Sequence, residues 1–239
     1  MHRKNHSYSS TIVDENPFSL SLGDLMAGLL LIFVLLLSFV MLDLMVKEKR
    51  QLEIAENYRN LQDALYHDLF REFENDLEKW EAELDRETLS VRFKEPKVLF
   101  DQGNVEVKTA FREILDDFFP RYVRILKKPD YIDDIVEIRI EGHTSSEWSV
   151  EVRHEDAYFL NMELSQDRTR SVLQYVLQLP AISKDRTWVK RYLTANGLSS
   201  SKLITYEDDT ENREESRRVE FRVRTNSEKQ LNEIISGIP

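Results

Sequence analysis

The run LMAGLLLIFVLLLSFVMLDLMV, Leu25 to Val46, is 22 residues long and carries one charge, Asp43, near its far end. A helix rises ~1.5 Å per residue, so the run covers about 33 Å, enough to cross a hydrocarbon core of roughly 30 Å. It is too long for the apolar core of a signal peptide. Lys47-Glu48-Lys49-Arg50 follows it, where a cleavage site would need small residues. The run therefore predicts a single transmembrane helix. It divides the chain into a short arm before it and a long, charged, soluble-like part after it.

Working back from the run, Pro17 and Ser19 suit a helix start, so the spanning segment is placed at 18–46 after a cytoplasmic arm, 1–17. Asp24 then falls one to two turns inside the helix, between Gly23 and Gly28, which are small enough for close helix approach. Asp43 follows 19 residues later, about 28 Å along the axis, at the opposite interface. An acid in a first helical turn is favoured by the helix dipole, and that is the plain reading of Asp24. The sharper reading is an ionisable group at the edge of the hydrocarbon, where charge is costly and usually functional. Such a group can take up and release a proton as its surroundings change. Counting Lys and Arg near the run favours a cytoplasmic C-terminus. Long domains cross largely regardless of charge, however, and the C-terminal domain argues for the periplasm.

Working forward, Ile54, Tyr58, Leu61, Leu65, Leu69, Phe73, Leu77, Trp80 and Leu84 form a stripe with a mean step close to helical spacing. No Pro or Gly interrupts Lys47 to Leu89. The pattern predicts one amphipathic linker helix over 47–89, its stripe buried in a parallel dimer or against the C-terminal domain. Steps of four outnumber steps of three, so it is not a clean heptad coil.

Beyond the linker the pattern alternates. Lys97-Val98-Leu99-Phe100 reads as a strand and Asp101-Gln102-Gly103-Asn104 as a turn. Thr109 to Leu126 has helical spacing through Phe111, Ile114, Leu115, Phe118 and Phe119. Ile135 to Ile140 alternates with period two. Leu164 to Leu179 reads as a helix capped by Ser165 and stopped before Pro180. Tyr192 to Ala195 leads into an Asn196-Gly197 turn, and Arg218 to Val223 alternates again. The fold class is α+β: a transmembrane helix, a helical linker, and a β-α-β-α-β-β domain over 90–225 with a mixed sheet and helices on one face. A tail, 226–239, follows.

Composition narrows the function. A net charge of -11 lacks the basic footprint of a general nucleic-acid binder. With no cysteine, neither a disulfide framework nor a thiolate metal site is available. No nucleophile–His–acid set, Gly-rich phosphate loop or metal-ligand spacing is visible, so no enzyme, cofactor or metal is expected. His143 and His154 are read as structural rather than ligating.

Three ordered motifs carry a resemblance: Ile140-Glu141-Gly142-His143-Thr144; Asn161-Met162-Glu163-Leu164-Ser165-Gln166-Asp167-Arg168; and NREESRRVEF from Asn212 to Phe221. Together they resemble the OmpA-like peptidoglycan-binding domain. The resemblance implies that Thr144, Ser145, Asn161, Leu164, Arg168, Asn212 and Arg217 form a pocket for the peptide stem. Arg168 would pair with the carboxylate of diaminopimelate, as a guanidinium does bidentately. Two departures stand out. The family's acid after Gly-His-Thr is Ser145 here, leaving a neighbour such as Glu147 to supply the contact. The spacing to Asn161 is also long, which implies an insertion over 146–159.

As a whole, the chain resembles MotB-like stator subunits, and more closely the ZorB subunits of Zorya anti-phage defence, through the Ser21 to Gly28 motif and the long linker. That resemblance implies a homodimer in the inner membrane. A larger ZorA-like multi-helix partner would surround it, five copies to two. Asp24 would carry protons and the C-terminal domain would hold peptidoglycan. A flagellar-type stator and a passive wall tether are the alternatives.

Overall fold

The computed structural model describes residues 17–94, 99–149 and 152–226. The arm before residue 17, the tail beyond 226 and the Lys97-Val98 half of the expected first strand lie outside them. The chain forms two compact units, Met1–Leu52 and Glu53–Pro239.

In the first unit, helix α1 (Pro17–Phe73) begins at Pro17, whose fixed φ and missing N–H suit a first turn. Side chains from Leu22 to Leu52 are all exposed. The segment is long and apolar enough to cross a membrane. Ser38 returns its hydroxyl to the Val34 carbonyl at 2.8 Å, so its polar group is satisfied within the helix. Asp43 pairs with Lys47 one turn on, at 2.8 Å.

In the second unit the end of α1 enters a hydrophobic core. Leu65, Leu69 and Phe73, spaced four apart on one face, are completely buried. The expected stripe is therefore covered, over this stretch, by the domain itself. The helix does not reach Leu89. It ends at Phe73, and Ala82 and Leu84 belong to a strand instead. Arg121 accounts for the stop. Its guanidinium donates to the Glu72 carbonyl at 2.6 Å and to the Glu72 carboxylate at 2.8 Å, and lies over the Phe73 ring. It thus supplies a donor to a helix-end carbonyl that has lost its helical partner.

A hairpin follows, β1 (Ala82–Asp85) and β2 (Ser90–Lys94). Asp85 fixes the bend by accepting from the Thr88 backbone N–H and hydroxyl at 2.8 and 2.9 Å. In the described half of the expected strand at 97–100, Leu99 and Phe100 are buried loop residues, and the strand described ahead of α2 is β2. Then come α2 (Thr109–Leu126), β3 (Ile135–His143), α3 (His154–Gln178), a 3₁₀ turn (Pro180–Ile182), α4 (Arg186–Tyr192), β4 (Leu193–Gly197), α5 (Arg213–Ser216) and β5 (Arg218–Thr225). The mixed sheet runs β1-β2-β5-β3-β4, with β3 and β4 parallel and the other pairs antiparallel. Before β3 the order gains the hairpin. After it, α4 and the one-turn α5 are added to the expected β-α-β-α-β-β.

Strand alternation divides the sheet into two faces. Val91, Phe93, Val219, Phe221, Val223, Ile138 and Ile140 are buried beneath α2 and α3. At the centre, the Phe118 ring meets those of Phe73, Phe93, Tyr122 and Phe221 at centroid distances of 5.0–5.2 Å. Gly142 shows how closely α3 lies on β3. A Cβ there would come within 2.7 Å of the Thr169 methyl and 2.9 Å of the Ser165 carbonyl. Helix α3 starts at His154, so Ser165 is not its cap but an interior residue. Its hydroxyl donates to the Met162 carbonyl and accepts from the Ser199 N–H. Most of the inserted 146–159 segment is thus a loop followed by an extra N-terminal stretch of α3, and Val150 and Glu151 lie outside the described residues.

Candidate functional site

A cavity of about 560 Å³ opens beyond the C-terminal end of β3. It is lined by Gln102, Gly103, Thr144, Ser145, Glu147, Trp148, Asn161, Leu164, Arg168 and Arg217. Three elements bring these residues together. Thr144 and Ser145 continue from β3. Asn161, Leu164 and Arg168, at spacings of three and four, share one face of α3. Arg217 sits between α5 and β5.

The floor is polar and buried: Asn161 is 3%, Thr144 4%, Ser145 6% and Arg168 7% exposed. Arg168 is aimed by the turn at Asp101–Asn104. Its Nε donates to the Asn104 carbonyl at 2.9 Å, its Nη2 to the Asp101 carbonyl at 3.1 Å, and its guanidinium lies 4.8 Å over the Phe100 ring. Gly103 has φ +67°, a left-handed conformation that favours glycine and lets the turn close. Asn161 donates its amide to the carbonyls of Ser145 and Glu147, 3.2 Å each, and so holds the loop that follows β3. Thr144 is fixed through its backbone N–H to the Ser199 carbonyl, while its buried hydroxyl has no hydrogen-bond partner among the described residues. A buried hydroxyl left unsatisfied at a cavity wall is a place for a ligand's polar atom.

Six of the seven residues expected in the wall-binding pocket therefore share one cavity: Thr144, Ser145, Asn161, Leu164, Arg168 and Arg217. Asn212 does not line it. Its side chain caps α5, accepting from the Glu215 N–H at 3.1 Å. Glu147, weighed as a replacement acid, does line the cavity, and Arg213 holds its carboxylate at 2.7 Å. Gln102, Gly103 and Trp148 come from a turn and a loop, and no pattern in the sequence marked them as site residues.

On the opposite face of the sheet, His143 lies between Glu141 and Glu220, its Nε2 3.8 Å from a carboxylate oxygen of each. Burial, with Arg218 close by, pushes its imidazole down to about 3, so it is neutral. Burial pushes the Glu141 carboxyl up. Burial would do the same to Glu220, but Arg218 and Arg92, at 2.6 and 2.9 Å, hold it below its ordinary value. The three groups are close enough to share a metal ion. The Arg218 and Arg92 guanidiniums already pair with Glu220 and would repel a dication, so the cluster is read as a buried ion-pair network. Asp24 lies in the other unit, exposed on α1.

The model of the OmpA family matches residues 99–226, which include the whole cavity. A curated relative, the Zorya protein ZorB of Escherichia coli, is 44% identical over 92% of this chain and 93% of its own length. The chain belongs to the ZorB family. Among solved structures, a putative MotB-like protein from Desulfovibrio vulgaris matches with a TM-score of 0.48 and 27% identity, covering 74% of this chain and 99% of its own. The cell wall anchor of the type VI secretion system from Pseudomonas aeruginosa gives a TM-score of 0.45 and 20% identity, over 66% and 97%. The ZorB match runs through both units of the chain. It thus extends beyond the part that the OmpA family covers and takes in the apolar helix.

Proposed function

We propose that this chain is the membrane-anchored subunit of a proton-driven motor in anti-phage defence, holding peptidoglycan through its C-terminal domain. The observation that carries the reading is the pairing, in one chain, of a carboxylate within an apolar helix and a cation-lined cavity in a folded domain. The family supports it, since the ZorB relative is a Zorya protein. Asp24 takes up and releases protons as contacts with a ZorA-like partner ring change. The N-terminus is cytoplasmic and the cavity periplasmic. Two copies of the chain form the stationary element, and the peptide stem of the wall enters the cavity with its carboxylate toward Arg168 and Arg217. The chain itself makes and breaks no covalent bond.

Asp24→Asn tests the reading. In cells carrying the intact system, with expression and membrane insertion verified, protection against phage is lost while peptidoglycan pull-down persists. Protection that survives the substitution would reduce the chain to a passive tether. Pull-down that fails in the unaltered protein would remove the wall-binding half.

A further inference from the structure

The cavity has a burial gradient that the peptide stem alone does not explain. Its floor is almost wholly buried, yet at the mouth stands Trp148, 39% exposed. A single exposed aromatic is ordinary. What sets this one apart is how firmly its loop is held. Asn161 ties the carbonyls of Ser145 and Glu147. The Ser146 N–H and hydroxyl both donate to the Glu211 carboxylate, at 2.9 and 2.5 Å. Arg213 ties Glu147. Five polar ties hold the three residues before Trp148, three of them through the backbone, so the point from which Trp148 lines the cavity is set in advance. Such preorganisation is what a binding contact needs and what an incidental surface residue lacks.

We infer that Trp148 is a sugar-contacting residue, stacking its indole on the apolar C–H face of a pyranose ring in the glycan whose peptide occupies the floor. An indole offers a broad apolar face and an N–H at its edge, and a sugar offers an apolar face rimmed by hydroxyls, so the two match in both respects. The inference rests on the wall-binding reading and deepens it, because the inserted loop makes the glycan as well as the peptide part of what is recognised.

The test uses the full chain in detergent and two probes: a disaccharide-tripeptide muropeptide, and the same tripeptide without sugars. The unaltered protein binds the muropeptide more tightly. Trp148→Ala lowers muropeptide affinity about 3–10-fold and leaves tripeptide affinity within about twofold, which also shows that the variant is folded. Trp148→Phe restores most of the difference. Glu211→Gln, which slackens the loop, weakens muropeptide binding when Trp148 is present and adds little in the Trp148→Ala background, the non-additivity expected of a support acting through the indole. An unchanged ratio between the two affinities in Trp148→Ala overturns the inference, whether or not both fall. An unaltered protein that binds neither probe overturns the wall-binding reading itself, and this inference with it.

Discussion

The two ends of α1 carry the same kind of residue in opposite surroundings. Leu35 in the first unit is 60% exposed, as are its neighbours for several turns in both directions, whereas Leu69 in the second unit is completely buried. Both belong to one helix in which no proline or glycine intervenes between them. The difference lies in the pattern around them. Near Leu35 nearly every position is apolar, and such a helix has no polar side to turn toward water. Near Leu69 the apolar residues recur every fourth position among charged ones, and the stripe joins the domain core, where Phe73 meets the rings of Phe118 and Trp80. Hydrophobicity alone does not say which medium a side chain meets; its angular distribution around the helix does.

The largest expected effect follows directly. Leu69→Ala removes buried volume from a close-packed aromatic core and destabilises the second unit by about 2–5 kcal/mol. Leu35→Ala removes the same atoms from the first unit and leaves the second unit's unfolding midpoint unchanged. Urea titration of the full chain in detergent, followed by near-ultraviolet circular dichroism, reads both. Equal shifts for the two variants would break the comparison.

A smaller effect separates the units by their response to acid. The folded state keeps His143 neutral down to about 3, whereas the unfolded chain binds that proton near 6.5. Between those limits the unfolded state holds more protons, so stability rises with pH through that window and is fully present above it. Glu141, Glu220, Arg92, Arg218 and Lys202 face the imidazole and add their own pH dependence, so the comparison is with His143→Gln. Moving from pH 6.5 to 4.5 costs the unaltered protein about 2–3 kcal/mol more than the variant. Similar slopes for the two would show that the imidazole titrates freely. The helical signal of the apolar half of α1 does not follow this transition.

How much of this was legible in the sequence depends on what marked each feature. The apolar span was readable because its pattern lies within one element, whereas Asn161, Leu164 and Arg168 were marked only by the motif they share with the OmpA-like domain, the expected helix beginning at Leu164. The end of α1 and the β1–β2 hairpin were not. The backbone enters the two strands through Glu81 and Leu89, with φ of 50° and 51°, and neither position has the glycine that usually signals such a turn. The start of α3 was missed because no side chain caps it, while Ser165, a residue type suited to caps, sits inside the helix. In the site, Asn212 was assigned to the ligand because it opens a motif; it caps α5 and is not among the residues that line the cavity. Trp148 and Gln102 reach the cavity only because the topology folds two loops toward the end of β3, a relation that no local spacing encodes.

The smallest expected effect is also the one that most sharpens the proposed role of Asp24. Asp24 and Asp43 are both acids on α1, and composition alone treats them alike. Asp43 has a partner, Lys47, one turn on at 2.8 Å, and both side chains are more than half exposed. A pair of that kind contributes about 0.3–0.5 kcal/mol to a helix and is weakened by salt. Asp43→Asn should therefore leave helix content, membrane insertion and phage protection near their original levels. Lys47→Gln should do the same, since neither member carries more than the pair. If the neutral variant at position 43 abolished protection as completely as the one at 24, proton transfer would have to involve both ends of the span. A single carboxylate near the start of α1 would then no longer suffice as the motor's carrier.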